Sequence, residues 1–139
     1  KHSFNIHVLG IEDNKSGIAD RMAKVSREEV FNTMRRAKIL LFTSVDEGTP
    51  WSVLEALSSG CVVLAHDLAG MGDIIPKEWL VESKNIEYSI ETFKQKIEVI
   101  LQNWPEKGKA NVAKSLEAAK KHSWQNKAKQ LEVLIEKIQ

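Results

Sequence analysis

Two glutamates have the type and spacing that a binding site could use. Glu47 lies in a polar turn after an apolar run, and Glu55 lies about one turn into the helix expected after that turn. Because a carboxylate accepts hydrogen bonds from neighbouring hydroxyls, such a pair suits the diols of a sugar or ribose better than a phosphate. A solvent-facing Glu55, favoured by the helix dipole, is the alternative. The spacing alone leaves both interpretations open.

The turn between these glutamates has features of an anion site. Gly48 lets a ligand approach the backbone closely. Pro50 lies near the first position of the next helix, whose unpaired amides carry about half a positive charge. A glycine before a helix is a weak signal by itself.

Short apolar runs alternate with helical patterns, which predicts parallel strands joined by helices. Strands are expected at residues 4–9, 18–25, 39–43, 61–65 and 80–81. The run at 39–43 is expected to be a central strand, buried on both faces. Helices are expected after Ser26, at 51–59, at 90–103, from Pro105 and after Ser123, with loops at 12–17 and 67–76. The fold class is therefore α/β, a doubly wound parallel sheet with a C-terminal helical tail.

Capping residues at the expected helix ends support these assignments. Ser26 and Glu29 have the spacing of a capping box, and Gly60 is placed to end the helix that contains Glu55. The last helix carries an apolar stripe made of Ala128, Leu131, Leu134, Ile135 and Ile138.

Composition excludes several classes of function. The 139 residues carry a net charge of +1, so charge gives no argument for a nucleic-acid partner. No apolar run is long enough for a membrane span. The single cysteine, Cys61, excludes an internal disulfide and is expected to be a buried, inert thiol in a reducing compartment. We therefore expect a cytoplasmic location.

Isolated histidines and tryptophans are expected to be structural. His66 closes a strand at its carboxyl edge and is the one histidine expected near the crevice. Trp51 could stack on a ligand or cap the helix, but packing in the core or at its rim is the favoured interpretation. Trp124 is expected to anchor the last helix. The histidines and the cysteine lack ligand spacing, and no Asp-x-Asp pair occurs, so no metal is expected.

Residues 47–63, EGTPWSVLEALSSGCVV, resemble the nucleotide-sugar signature of the group 1 glycosyltransferases (family 4, GT-B fold). That signature is a glutamate, seven residues, a second glutamate, a helix end of small residues, a glycine and an apolar strand. Residues 26–30, 69–75 and 122–124 are similar to flanking parts of the family, so the resemblance spans nearly the whole chain.

The resemblance implies a retaining enzyme that takes a sugar from a nucleotide diphosphate donor, bound in a cleft between two Rossmann-like domains. This chain looks like most of the C-terminal, donor-binding domain. Residues 1–121 would form that domain without its first strand, and residues 122–139 a helix packing back on it. By itself, the chain is expected to bind a nucleoside diphosphate weakly and to transfer nothing.

The resemblance also assigns roles by position. Glu47 would be catalytic, bonding donor-sugar hydroxyls at the reacting face, and Glu55 would hold the ribose. The donor sugar and diphosphate would lie along the turn and the first amides of the helix, at Gly48, Thr49, Pro50, Trp51 and Ser52. The base would lie beside Met22, Ala23, Lys24 and Val25.

The chain departs from the family at two places. Thr49 and Pro50 stand where the family often has an aromatic residue and a glycine, and Pro50 donates no amide. The family's basic Arg and Lys after the first strand have no counterpart, nor does its N-terminal, acceptor-binding domain.

The implied partners are a nucleotide-sugar donor and a glycan, lipid or small acceptor, with no cofactor, no metal and no nucleic acid. Peripheral membrane association of the complete enzyme is allowed, and polysaccharide biosynthesis is a broad expectation. The alternative is a non-catalytic nucleotide- or sugar-binding module, or a scaffold, of the same fold. A phosphoacceptor receiver is disfavoured, because Leu9 and Gly10 stand where its acidic cluster would be.

Overall fold

The computed structural model describes residues 4–9, 21–48, 50–68 and 70–138. The chain divides into two compact units, Lys1–Thr33 and Met34–Gln139. Each unit is described by itself. The boundary predicted between residues 121 and 122 stays a prediction.

The first unit holds two short parallel strands. β1 (His7–Leu9) pairs with β2 (Arg21–Ala23), with Val8 opposite Met22. Both strands lie inside the segments where strands were expected, but they are shorter. The loop expected at residues 12–17 lies outside the described residues.

The helix α1 (Arg27–Arg36) begins at the predicted cap. The backbone N–H of Glu29 donates to Ser26 Oγ at 3.2 Å, which satisfies one of the amides left open at a helix start. Glu28 and Glu29 lie in the first turn, with Arg35 and Arg36 in the last, an arrangement that complements the helix dipole.

The second unit contains a parallel sheet of three strands in the order β3-β4-β5. These are β3 (Ile39–Phe42), β4 (Val62–His66) and β5 (Leu80–Val81). Every residue of β4 is buried, as expected for a strand with a neighbour on each side. The parallel α/β fold class is thus confirmed.

The prediction that residues 39–43 form the central strand is wrong for the described sheet. Among the described strands, β3 pairs only with β4 and so lies at the edge of the sheet, where Leu41 keeps 46% of its surface exposed. Its apolar run indicates a strand, but strand order is decided by which neighbours pair on each side. The strand buried on both faces is β4.

Five helices complete the second unit as described. They are α2 (Trp51–Ser58), α3 (Met71–Ile74), α4 (Ile86–Gln102), α5 (Trp104–Lys121) and α6 (Trp124–Glu136), with a 3₁₀ turn at Lys77–Trp79. The segment expected to be a loop at 67–76 therefore contains the short helix α3.

Caps explain where two of these helices begin. α4 begins four residues before its predicted start because Asn85 Oδ1 accepts the Tyr88 N–H at 2.8 Å. α6 begins after Ser123, whose hydroxyl accepts from the Asn126 N–H at 3.4 Å, as expected.

The core lies between α2, β4 and the segment from α3 to β5, and α5 closes over the corner where α2 turns into β4. Gly60 makes that corner with a φ of +87°, which favours glycine. One residue later, the Cys61 carbonyl accepts a hydrogen bond of 2.7 Å from the buried Ser115 hydroxyl of α5. The predicted helix end at Gly60 is confirmed.

Cys61 is buried, and its Sγ donates to the Met34 carbonyl at 2.9 Å. Burial raises the pKa of this thiol to about 11, because the thiolate would lose its solvation. The expectation of a protonated, inert thiol is therefore supported.

This raised pKa predicts a pH dependence of stability. An exposed cysteine thiol has an ordinary pKa of 9.0, whereas in the folded state the Cys61 thiol keeps its proton to about pH 11. This pKa difference therefore stabilises the folded state below pH 9. The stabilisation is lost as pH rises towards 11, which lowers the free energy of unfolding by about 2–3 kcal/mol. We expect urea unfolding to show a steeper alkaline decline in the wild type than in Cys61→Ala. Equal slopes in the two proteins would contradict this.

In the described structure, none of the residues of α6 is buried, and its apolar stripe is exposed to solvent. That this helix packs back on the domain stays a prediction. Across the described ranges, no helix has both the length and the apolar character that crossing a bilayer requires.

Candidate functional site

Two loops meet at the carboxyl edge of the three-stranded sheet. One follows β3 and leads into α2, and the other follows β4 and leads into α3. A Cβ placed on Gly70 would lie 4.0 Å from the Gly48 carbonyl oxygen, so the two loops lie close together. In open parallel sheets, this edge is where ligands bind.

Glu47 lies exposed in the first of these loops. The Ser44 hydroxyl, which follows the end of β3, is placed to donate to Glu47 Oε1 at 3.1 Å. This contact joins side chains three positions apart and orients the carboxylate of Glu47. Glu47 therefore lies where the sequence analysis placed it, at the strand end and before the helix.

Glu55 lies in α2, one helical turn after Trp51 and on the same face of the helix. The opposite face is the core face, formed by Val53, Ala56 and Leu57. Glu55 is half-buried, and its backbone carbonyl accepts hydrogen bonds from the hydroxyls of the two serines that end the helix. Along the chain, the first residue of α2 thus lies between the two glutamates.

The start of α2 has no side-chain cap. Pro50 is the N-cap residue, with φ −71° and ψ 120°, and it is buried. Its carbonyl accepts from the Val53 and Leu54 amides at 3.1 and 3.4 Å. The amides of Trp51 and Ser52 precede that ladder, so helix geometry directs them towards the loop. They are two donors that the described part of the turn can offer to an anion.

The remaining predicted site residues are Thr49 and the four residues expected beside the base. Thr49 lies outside the described residues, so its role stays a prediction. Met22 and Ala23 lie in β2, and Lys24 and Val25 follow it, all within the first unit.

Trp51 is not in the core, because 61% of its surface is exposed. Its indole lies 6.2 Å from that of Trp124, centroid to centroid, with an angle of 35° between the planes. Trp124 is itself 75% exposed. Sequence reasoning missed this pair, because no local pattern links residues at the starts of two separate helices.

His66 ends β4 at the carboxyl edge, as predicted, but its side chain is buried. Its ring meets Phe93 of α4 edge-on, with centroids 5.0 Å apart. In the part of the chain that is described, Nδ1 has no hydrogen-bond partner. His66 therefore belongs to the interior packing of α4 on the sheet.

A cavity of about 370 Å³ lies elsewhere, beside α3 and α5. Its charged rim includes an ion pair between Glu78 and Lys114, and this hydrogen bond lowers the pKa of Glu78. Within the described ranges, no three His, Cys, Asp or Glu side chains are grouped so that they could hold a metal ion.

Comparison with known proteins identifies the family. The model of the family "Glycosyl transferases group 1" matches residues 21–130, which include both glutamates and both loops of the site. No curated protein sequence matches the chain significantly. The matched range covers most of the chain, and the parallel sheet has the Rossmann-like arrangement expected. The chain therefore belongs to the group 1 glycosyltransferases, a family that transfers a sugar from a donor to an acceptor.

Proposed function

We propose that this chain forms the donor-binding side of a retaining glycosyltransferase. The donor is a nucleotide diphosphate-sugar, and the acceptor is a glycan, a lipid or a small molecule. The observation that carries the proposal is the exposed Glu47, oriented by Ser44 at the sheet edge directly before the first amides of α2. Membership of the group 1 family supports it.

Each part of the donor has a matching group in this proposal. Glu47 accepts hydrogen bonds from the sugar hydroxyls, and Glu55 accepts them from the ribose. The amides of Trp51 and Ser52 hold the diphosphate at the helix N-terminus. Because Pro50 supplies no N–H, these neighbouring amides carry the contact.

The base is proposed to lie beside Met22, Ala23, Lys24 and Val25. Gly48 and Thr49 complete the turn around the donor sugar. The acceptor is held by a domain that precedes this chain in the complete enzyme, which acts in the cytoplasm.

The proposed reaction retains the configuration of the sugar, with departure and attack on the same face. Positioning and electrostatics supply the catalysis. The helix N-terminus meets negative charge that develops on the departing diphosphate, while Glu47 holds the sugar in place. No metal is invoked in this mechanism.

The test is nucleotide binding by the complete protein. We expect calorimetric titration with uridine, guanosine and adenosine diphosphates to detect binding of at least one. Glu55→Gln should weaken it roughly 10- to 150-fold, since a hydrogen bond to a charged group is worth about 1.5–3 kcal/mol.

Glu87→Gln is the matched control, because Glu87 is an exposed glutamate in the first turn of α4. It should leave the affinity unchanged. If no nucleotide binds, or if Glu55→Gln binds as well as the wild type, the donor-site assignment is wrong. The scaffold alternative would then be favoured.

A further inference from the structure

The segment that contains both loops of the carboxyl edge has acidic side chains but no lysine or arginine. Between residues 39 and 76, the acidic residues are Asp46, Glu47, Glu55, Asp67 and Asp73. His66, the one histidine in this range, is buried. A phosphate held at this edge therefore meets no lysine or arginine side chain from the loops themselves.

Two of these carboxylates, Asp46 and Glu47, come directly before the turn into α2. Both are exposed, and within the described ranges neither forms an ion pair with a basic side chain. The Ser44 hydroxyl lies 3.1 Å from Glu47 Oε1 and 3.3 Å from the Asp46 carbonyl oxygen. The Glu47 carboxylate therefore has a hydroxyl that orients it but, in the described structure, no cation that neutralises it.

The proposed reaction changes the charge of the phosphate that was bonded to the sugar. In the intact donor, the terminal phosphate is esterified and carries one negative charge. On transfer, the bond between the sugar carbon and the phosphate oxygen breaks, and its electron pair stays on that oxygen. The sugar carbon bonds to the acceptor oxygen, whose proton passes to solvent. The free terminal phosphate then carries roughly one further negative charge near pH 7.

We propose that Glu47 distinguishes the intact donor from the nucleoside diphosphate product by charge, and so promotes release of that product. This inference rests on the proposed function, in which Glu47 binds the donor sugar and the first amides of α2 hold the diphosphate. While the sugar is present, Glu47 accepts hydrogen bonds from its hydroxyls. Once the sugar has left, the same carboxylate repels the additional charge on the terminal phosphate.

Backbone amides suit this discrimination better than lysine or arginine side chains in the loops would. The amides of Trp51 and Ser52 lie at a helix N-terminus with about half a positive charge, which holds phosphates without cancelling a full carboxylate charge. A full positive charge would attract the product more strongly than the donor, because the attraction grows with the charge of the phosphate. The lack of lysine and arginine between residues 39 and 76 therefore favours release of the product.

Calorimetric titration of the complete protein tests this inference with two probes for each base. One probe is uridine, guanosine or adenosine diphosphate. The other is its methyl ester at the terminal phosphate, which lacks both the additional charge and the sugar. For the base that binds, Glu47→Gln should bind the free diphosphate roughly three- to tenfold more tightly than the wild type does. The affinity for the methyl ester should be the same in both proteins.

Salt and a neighbouring variant separate charge repulsion from a general change in the loop. Salt screens exposed charges, so the difference in affinity between Glu47→Gln and the wild type should shrink as sodium chloride rises from about 0.01 to 1 M. A difference caused by altered loop packing would persist. Asp46→Asn removes the adjacent exposed charge but keeps Glu47, and it should tighten binding of the free diphosphate less than Glu47→Gln does.

Two results would overturn this inference while the donor site stands. One is unchanged or weaker binding of the free diphosphate by Glu47→Gln, while Glu55→Gln still weakens that binding. The other is equal tightening of the methyl ester, which would show that the additional charge is irrelevant. If no nucleoside diphosphate binds to the wild type, the donor-site assignment itself fails, and this inference fails with it.

Discussion

Replacing Glu47 with glutamine in the complete protein is expected to lower kcat/KM for sugar transfer roughly 10- to 150-fold. The variant keeps the size of the side chain but removes the charge that strengthens hydrogen bonds from the donor hydroxyls, about 1.5–3 kcal/mol for one such bond. If Glu47 acts mainly in the transition state, kcat and kcat/KM should fall together. Steady-state transfer assays over a range of donor concentrations measure both.

Two neighbouring variants control for the loop itself. Asp46→Asn changes an adjacent exposed carboxylate and should retain activity. Ser44→Ala removes the hydroxyl that orients Glu47 Oε1 and should cause a smaller loss than Glu47→Gln. Wild-type kinetics for Glu47→Gln, or an equal loss for Asp46→Asn, would show that Glu47 has no special role.

Replacing Gly60 with alanine is expected to reduce the free energy of unfolding by about 2–4 kcal/mol. The φ of +87° is unfavourable for a residue with a Cβ, at about 1–2 kcal/mol. That Cβ would also lie 3.1 Å from Val112 Cγ1 in α5, and crowding in a packed site adds a similar amount. Urea denaturation measures the loss.

Two other glycines give a graded comparison. Gly70→Ala meets the same strain, with φ +84°, but its nearest neighbour would be 4.0 Å away, so about 1–2 kcal/mol is expected. Gly72→Ala has neither a positive φ nor a close contact and should stay within about 0.5 kcal/mol. If all three variants lost the same stability, the explanation at Gly60 would be wrong.

Helix ends were predictable because their hydrogen bonds join residues a few positions apart. Ser26 and Ser123 cap their helices through amides three residues later, and Gly60 ends α2 within the same stretch of chain. By contrast, α3 lay hidden in an apparent loop. It is only four residues long and has no side-chain cap, so it leaves little periodic pattern to detect.

Strand order was not predictable from the apolar runs. The run at β3 and the run at β4 look alike in sequence, yet β4 has two neighbours and β3 has one within the described sheet. Backbone pairing between distant segments decides which strand is central. The apolar pattern indicates only that each segment prefers a partly or fully buried strand.

By itself, the sequence determined the alternating parallel fold, the helix caps and the glutamate-bearing signature from Glu47 to Glu55. These features depend on residues close together along the chain, so local chemistry specifies them. Only the tertiary structure decided that the Gly48 and Gly70 loops lie close together and that Trp51 lies beside Trp124 at the surface. These arrangements join residues far apart in sequence, so no local pattern along the chain specifies them.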